Sequence, residues 1–456
     1  MTTSSLSQFC ADNFVPPNIL DYFGHVCVDN APHASIKARA TDFQVEEEQT
    51  KLNILCTVSP NSDLPANIEF PKTGRMWTVT LVKLQMTTFH ARADLARRLN
   101  IDPKQITYGG LKDRWGKTGQ RVNIEGITYA DLLAHCKPQQ LVDGRAAYFI
   151  KDPLPSTKRM RKGDLSGNKF TLRVLLPGMN AKQIEGYLTP LLQHLQEKGN
   201  LFPNAYGKQR LGVRQNTLKV GRELIENGPK AAIKLFLTDT SPNEGALATQ
   251  VRGELLEMWN EAEKRAIEMG ETIEMQWMEW ESMRSRLEPL RRKCNMTIEY
   301  DIIEKTLSVG YQGGFREVMA QMRDEFSLWV GAYQSFYFNQ ILSNVIAGRF
   351  IPKGRSIPLY IDDAVANRFY RKFLPEAIPT RMNRDVRDLF LTARGDGGGP
   401  WRQLFIPVQG LTGRYEDGQW FVSFSLRSGS YATTFLGTIL DLEGNARVAA
   451  DERSFA

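Results

Sequence analysis

Disulfide frameworks and metal sites are the first things this sequence lacks. Its five cysteines, Cys10, Cys27, Cys56, Cys136 and Cys294, are scattered, odd in number and without a C-x-x-C pair. That excludes a disulfide scaffold or zinc ribbon and makes reduced cytosolic thiols the expectation. The five histidines form no H-x-x-x-H or related cluster, so no metal site is expected. No apolar run reaches the roughly eighteen residues that a membrane-spanning helix requires. The polar start Met-Thr-Thr-Ser-Ser lacks a secretory hydrophobic segment. A cytoplasmic protein is expected, or a nuclear one if the source is eukaryotic. Internal repeats, coiled-coil heptads and the glycine fingerprint of a doubly wound nucleotide fold are also missing. Charge of one sign is in only slight excess: the net value of +7 suits RNA, DNA or an acidic partner and decides nothing alone.

What is present is the material of a large globular protein. Over 456 residues, 42% are hydrophobic and 24% charged, enough for two or three domains. Residues 1 to about 30 read as an irregular lead-in. Ile36-Lys-Ala-Arg and Asp42-Phe-Gln-Val-Glu46 read as short strands around a turn. Arg75 to Leu84 alternates, with Trp77, Val79 and Leu81 on one face, and predicts a half-buried strand. Thr88 is the expected cap of a helix with Ala93, Leu95, Ala96 and Leu99 on its apolar face. A strand near Arg121 to Ile124, a helix near Tyr129 to Cys136, a strand over 168–174 and a helix over 181–197 follow. This alternation predicts an α+β sheet flanked by helices. From Asn243 to Cys294 the chain is proline-free until Pro289 and rich in Glu, Met, Arg, Ala and Leu, which predicts long helices. Trp259, Met269, Met275, Trp277, Met278 and Trp280 fall there at helical spacing and read as core. Residues 346 to about 415, with the run Gly395-Asp-Gly-Gly-Gly-Pro400, are loop-rich.

The most informative stretch is Tyr108-Gly-Gly-Leu-Lys-Asp-Arg-Trp-Gly-Lys-Thr-Gly-Gln120, which sets Asp113 between Lys112 and Arg114 in a glycine-bracketed loop. Two readings stand: an Asp turn among solvated charges, or an acid that works on a polyanion. Gly116-Lys117-Thr118 imitates a phosphate-binding loop, but the spacing of that motif would put its first glycine at Leu111. A phosphate nest needs converging N–H groups and no anion of its own, so the reading is rejected and no nucleotide cofactor is expected. Lys158-Arg159-Met160-Arg161-Lys162 and the group Arg284, Arg286, Arg291, Arg292 and Lys293 are either solvated faces or polyanion contacts.

Taken in order, several segments resemble the TruD family of pseudouridine synthases. Gly110-Leu-Lys-Asp-Arg-Trp-Gly-Lys-Thr-Gly-Gln120 is similar to the family's G-x-K-D-[RK]-x-A-x-T-x-Q signature. Asn204-Ala-Tyr-Gly-Lys-Gln-Arg-Leu-Gly212 is similar to N-x-[FY]-G-x-Q-R-[FL]-G. Ile36-Lys37 with Asp42-Phe43-x-Val45-Glu46 resembles the opening strand, and Arg161-Lys-Gly-Asp-Leu-Ser-Gly-Asn168-Lys-Phe170 the R-x-G-x-L-x-G-N-x-F element. Tyr333-Gln-Ser-Phe-x-Phe-Asn339 and Gly429-Ser-Tyr-Ala-Thr433 complete the series. The chain departs from the pattern at Gly116, where alanine is usual, and at Ala205 and Leu211, where aromatics are common in bacterial members.

The resemblance implies an isomerase that converts a uridine of RNA to pseudouridine, in tRNA at a position of the uridine 13 type, on a flipped-out base and without a cofactor. It implies Asp113 as the catalytic aspartate, acting as nucleophile or proton acceptor. Lys37, which by itself reads as a surface lysine, becomes its paired cation. Tyr206 would stack on the target uracil and Asn204 would orient its turn. Lys112 and Arg114 would face phosphates, as would Lys158, Arg159, Arg161 and Lys162. Asn168 and Phe170 would line the cleft, although Phe170 also reads as core. Gln209 and Arg210 would brace their loop or reach RNA. The implied architecture is a pseudouridine synthase-type mixed or antiparallel sheet over residues 31–229, an inserted TRUD-type domain over 230–415 and a return over 416–456, V-shaped overall and monomeric. A competing reading is an RNA-binding or folding-assistance protein of the same fold in which Asp113 is only structural.

Overall fold

The structure, a computed structural model, describes residues 32–442 except 50–53, 67, 162, 208–209, 211–213, 215, 242–243, 269–276, 350, 360–369, 376–381, 392–400, 417–418, 438 and 441. The expected lead-in at 1–30, together with Lys162, Gln209, Met269 and Met275, lies outside the described residues. The chain forms two compact units. The described residues of Asn30–Phe202 and Ile406–Ala456 make one, and those of Pro203–Phe405 make the other. These crossings precede the boundaries at 229/230 and 415/416 that the resemblance implies.

The first unit is built on one nine-stranded mixed sheet. In chain order its strands are β1 (Phe43–Gln49), β2 (Ile54–Cys56), β3 (Met76–Leu84), β4 (Ile106–Tyr108), β5 (Lys117–Glu125), β6 (Ala147–Pro155), β7 (Gly167–Val174), β8 (Gln409–Glu416) and β9 (Gln419–Arg427). Across the sheet they run β8-β9-β7-β1-β5-β3-β6, with β2 added on β1 and β4 on β5. Among the described residues of this sheet, only the β1–β5 pair is parallel. Helices α1 (Thr88–Leu99), α2 (Tyr129–His135), α3 (Ala181–Glu197) and α10 (Ala432–Gly437) belong to the same unit.

Side-chain alternation explains the layering. Trp77, Val79 and Leu81 of β3 pack with Leu95, Ala96 and Leu99 of α1 and Leu132 of α2. Val82 and Leu84 pack instead with Ala40, Val58, Leu141 and Phe149. β3 is therefore covered on both faces, where its polar threonines predicted a half-buried strand; Thr78 and Thr80 satisfy a buried arginine, Arg121. The cap of α1 is Thr87, whose hydroxyl accepts from the His90 N–H, and Thr88 is the first helical residue. The freed Thr88 hydroxyl bonds Gln120 of β5 instead. Gly119 is required by close approach: a Cβ there would lie 2.1 Å from the Cys56 carbonyl oxygen.

The second unit is mainly helical: α4 (Thr217–Asn227), α5 (Pro229–Thr238), α6 (Ala246–Glu268), α7 (Trp277–Leu287), α8 (Thr297–Gln321) and α9 (Arg323–Ile346). The long helices expected after residue 243 are present, and Trp259 packs edge-to-face on Trp280 in their core. Gly221 brings α4 against α9, since a Cβ there would meet the Trp329 carbonyl oxygen at 2.2 Å. This contact explains why α4 sides with the helical unit. A two-stranded ribbon, Ser356–Pro358 with Trp401–Gln403, lies in the stretch expected to be loop-rich.

Candidate active site

Asp113 is carried by the loop from β4 to β5, and that loop is pinned on several sides. Gln120 Nε2 donates to the Gly110 carbonyl at 3.1 Å, and the Gly163 N–H donates to the Gly109 carbonyl at 2.7 Å. Lys83 Nζ donates to the Asp113 carbonyl at 2.6 Å from a fully buried position at the end of β3. The Asp113 backbone is thus tied to the sheet while its carboxylate points elsewhere.

Lys37 Nζ lies 3.4 Å from Asp113 Oδ1. The lysine is itself held: its ammonium sits 4.3 Å from the Phe43 ring centroid, and Trp115 Nε1 donates to its carbonyl at 3.1 Å. The Lys37 side chain is 13% exposed and that of Asp113 is 31% exposed. The result is a carboxylate that is partly open to solvent with a fixed cation beside it.

Lys112 is a correction to the sequence reading. Its ammonium points inward, 2.8 Å from Glu47 Oε2, and donates to Asn168 Oδ1 at 2.6 Å. Its side chain is 5% exposed and that of Glu47 is 0% exposed, so this charge is matched inside the protein and is not offered to phosphate. Lys112 thus turns to Glu47 while Asp113 faces Lys37. Asn168 stands opposite Glu47 in the β1–β7 register. Phe170 is core rather than cleft lining: its ring stacks on Phe424 at 5.4 Å and meets Phe43 edge-on at 6.3 Å. Through Phe43 it supports the ring on which Lys37 rests.

The remaining predicted cations differ. Lys158, Arg159 and Arg161 are exposed on the segment between β6 and β7, and Arg114 is half-buried. Arg159 is partly neutralised, since its Nε donates to Glu125 Oε2 at 2.6 Å. Lys117 and Thr118, of the phosphate-loop look-alike, sit inside β5 and pair with Gln44 and Val45 of β1. Burial holds the Lys117 ammonium below the usual lysine range. Among the described residues, no three His, Cys, Asp or Glu side chains gather closely enough to hold a metal, and no helix is long and apolar enough to cross a membrane.

Asn204, Tyr206 and Arg210 belong to the helical unit. The Asn204 N–H donates to the Leu404 carbonyl at 2.8 Å and its Nδ2 to the Gln403 carbonyl at 2.9 Å. Asn339 of α9 closes a reciprocal pair with Tyr206: its Oδ1 accepts from the Tyr206 N–H and its Nδ2 donates to the Tyr206 carbonyl, both at 2.8 Å. Phe338 meets the Tyr206 ring edge-on at 5.6 Å. Arg210 Nε donates to Ser335 Oγ at 3.4 Å, so this arginine braces its loop against α9. Described residues of two segments that resemble family motifs, Tyr206 and Arg210 of one and Ser335, Phe338 and Asn339 of the other, are therefore one cluster. Tyr206, which the resemblance assigns to stacking on the target uracil, is 6% exposed, and the Arg402 guanidinium lies 3.8 Å from its ring centroid. Sequence reasoning missed Lys83, Glu47 and Arg402. For the first two a signal exists, a charged residue in the buried phase of an alternating strand; for Arg402 there is none.

Comparison with known proteins agrees on one family. The family model of tRNA pseudouridine synthase D (TruD) matches residues 26–352. The chain is 25% identical over 425 residues to "Probable tRNA pseudouridine synthase D 1" of Methanocaldococcus jannaschii, covering 89% of this chain and 95% of that protein. It is 28% identical over 386 residues to the corresponding protein of Methanopyrus kandleri, covering 80% and 85%. A crystal structure of TruD from Methanosarcina mazei superposes with a TM-score of 0.61 at 17% identity, over 95% of this chain and 99% of that one, and shares the fold.

Proposed function

Because the chain belongs to the TruD family of pseudouridine synthases, we propose that it isomerises a uridine of tRNA, of the uridine 13 type, with Asp113 as the acting carboxylate. The observation that carries this reading is the partly exposed Asp113 paired at 3.4 Å with Lys37, which is itself fixed over Phe43. The isomerisation breaks the N1–C1′ bond, turns the base over and joins C5 to C1′. It consumes no oxidant, reductant or group donor, so one ionised carboxylate supplies the required chemistry. Asp113 either adds to C1′ as a nucleophile or removes a sugar proton to open a glycal route; each starts from the anion. Lys37 keeps that carboxylate aimed. The pinned backbone prevents the loop from collapsing onto its own charge. The target base must leave any helical stack before the acid reaches C1′. Lys158 and Arg161, exposed between β6 and β7, meet the backbone phosphates in this reading.

Asp113→Asn tests the reading. It removes the anion with little change in shape, so tRNA binding by filter assay is expected to persist while pseudouridine, read by carbodiimide mapping or tritium release, disappears. Full turnover by this variant refutes the assignment. Normal binding by a wild-type protein that forms no pseudouridine favours a binding or folding-assistance role instead.

A further inference from the structure

We propose that Thr88 is a positioning residue for Asp113: its hydroxyl, working through Gln120, sets the path of the loop that carries the acid. The inference rests on the reading of Asp113 as the acting carboxylate, and every residue in it belongs to one compact unit. It gives a task to a side chain that the sequence marked only as a helix cap.

The capping duty falls to Thr87, whose hydroxyl accepts from the His90 N–H, so α1 does not need the Thr88 hydroxyl to begin. That hydroxyl is the centre of a chain of hydrogen bonds instead. The Lys112 N–H donates to Thr88 Oγ1 at 3.3 Å, Thr88 Oγ1 donates to Gln120 Oε1 at 3.1 Å, and Gln120 Nε2 donates to the Gly110 carbonyl at 3.1 Å. Thr88 is 1% exposed and Gln120 is 0% exposed. The chain runs in one direction. An N–H can only donate, so the hydroxyl accepts from Lys112 and gives its own proton to Gln120 Oε1, which leaves the Gln120 NH2 facing Gly110.

Two backbone groups just before Asp113 are thus tied to α1 and β5 through one hydroxyl. Leu111, between them, is 60% exposed, so burial of its own side chain does not hold this stretch. On the far side Lys83 Nζ takes the Asp113 carbonyl at 2.6 Å. Replacing Thr88 by valine keeps the shape but leaves Gln120 Oε1 buried without its donor and the Lys112 N–H without its acceptor, and such groups draw the backbone toward new partners. The Asp113 carboxylate moves with its backbone, and a displacement of about 1 Å costs up to about a hundredfold in rate. Neither Thr88 nor Gln120 has surface for RNA, so the effect falls on rate rather than on binding.

Thr88→Val, Thr88→Ser and Thr87→Ala are to be compared with wild type in single-turnover pseudouridine formation on tRNA, in the enzyme concentration giving half the maximal rate, and in melting temperature. Thr88→Val is expected to lose about tenfold or more in maximal rate, with the half-saturating concentration within about twofold of wild type. Thr88→Ser, which restores the hydroxyl, is expected to recover most of the rate. Thr87→Ala is expected to lower the melting temperature through the lost cap and to keep the wild-type rate. A wild-type rate in Thr88→Val overturns the proposal, as does a Thr88→Ser rate no better than that of Thr88→Val, or an equal loss in Thr87→Ala. Should Thr88→Val not fold, Gln120→Met is measured in its place, with the same loss expected and a wild-type rate again overturning the proposal. All of these outcomes leave the Asp113 reading standing so long as Asp113→Asn is inactive. Full turnover by Asp113→Asn overturns that reading and the proposal with it.

Discussion

Single side chains divide the work of the Lys112–Asp113–Arg114 triplet. One cation turns inward to Glu47 while the acid faces a lysine from 76 positions earlier in the chain. Lys37→Met leaves Asp113 without its fixed partner, and a misplaced reacting group costs about a hundredfold in rate. The expected outcome is a turnover loss of that order with tRNA affinity little changed, checked by steady-state kinetics. Lys112→Met has a different signature. It strands Glu47 inside the protein, and breaking one side of a buried pair destabilises by about 3–5 kcal/mol. Urea denaturation is expected to show a lowered midpoint and an unfolding free energy smaller by that amount. A phosphate-contacting lysine would instead show weaker tRNA binding at unchanged stability.

Among the elements, β5 sets the tolerances of the site, because it follows the Asp113 loop and pairs with both β1 and β3. Gly119→Ala drives a methyl group into the Cys56 carbonyl, and overpacking of this kind costs about 2–3 kcal/mol; a lowered melting temperature is the measurement. The segment between β6 and β7 carries the exposed cations. Removing Lys158 or Arg161 is expected to weaken tRNA binding at all sequences and to reduce the salt slope by about one for each phosphate no longer neutralised. Arg159→Ala, already paired with Glu125, is expected to do less.

Element legibility followed the regularity of the pattern. The helix over 181–197 and the strands β3 and β7 are plain in the sequence because their apolar periods are unbroken. β6 is not: Asp152 has φ +55, Pro153 interrupts the ladder, and a buried Lys151 pairs with Asp63 from outside the strand. The polar layer beneath β5 follows the same rule, since Arg121 finds its partners on β3.

Over the whole molecule, a buried thiol, Cys56, and a half-buried one, Cys136, give stability a pH dependence. Burial pushes both Cys56 and Cys136 up to about 12. In the unfolded chain a thiol ionises near the ordinary value of about 8.5. Between those values the unfolded state binds fewer protons than the native one, so stability falls as pH rises, by about 1.4 kcal/mol per unit for each thiol. Melting temperature is expected to be unaffected by these groups below about pH 8.5 and to decline above it. Cys56→Ala is expected to flatten that decline, whatever it does to the absolute value.

By itself the sequence determined the chemistry available: an acid in a glycine-bracketed loop, ordered family motifs, and helices and strands wherever an apolar period ran unbroken. The family resemblance already named Lys37 as the partner of Asp113; only the tertiary structure decided that Lys112 turns inward and that Tyr206 lies beneath Arg402. The physical reason is that a side chain's direction follows from the pleat of its strand and from partners far along the chain. Lys37 and Asp113 lie 76 residues apart, and Asn204 and Arg402 lie 198 apart.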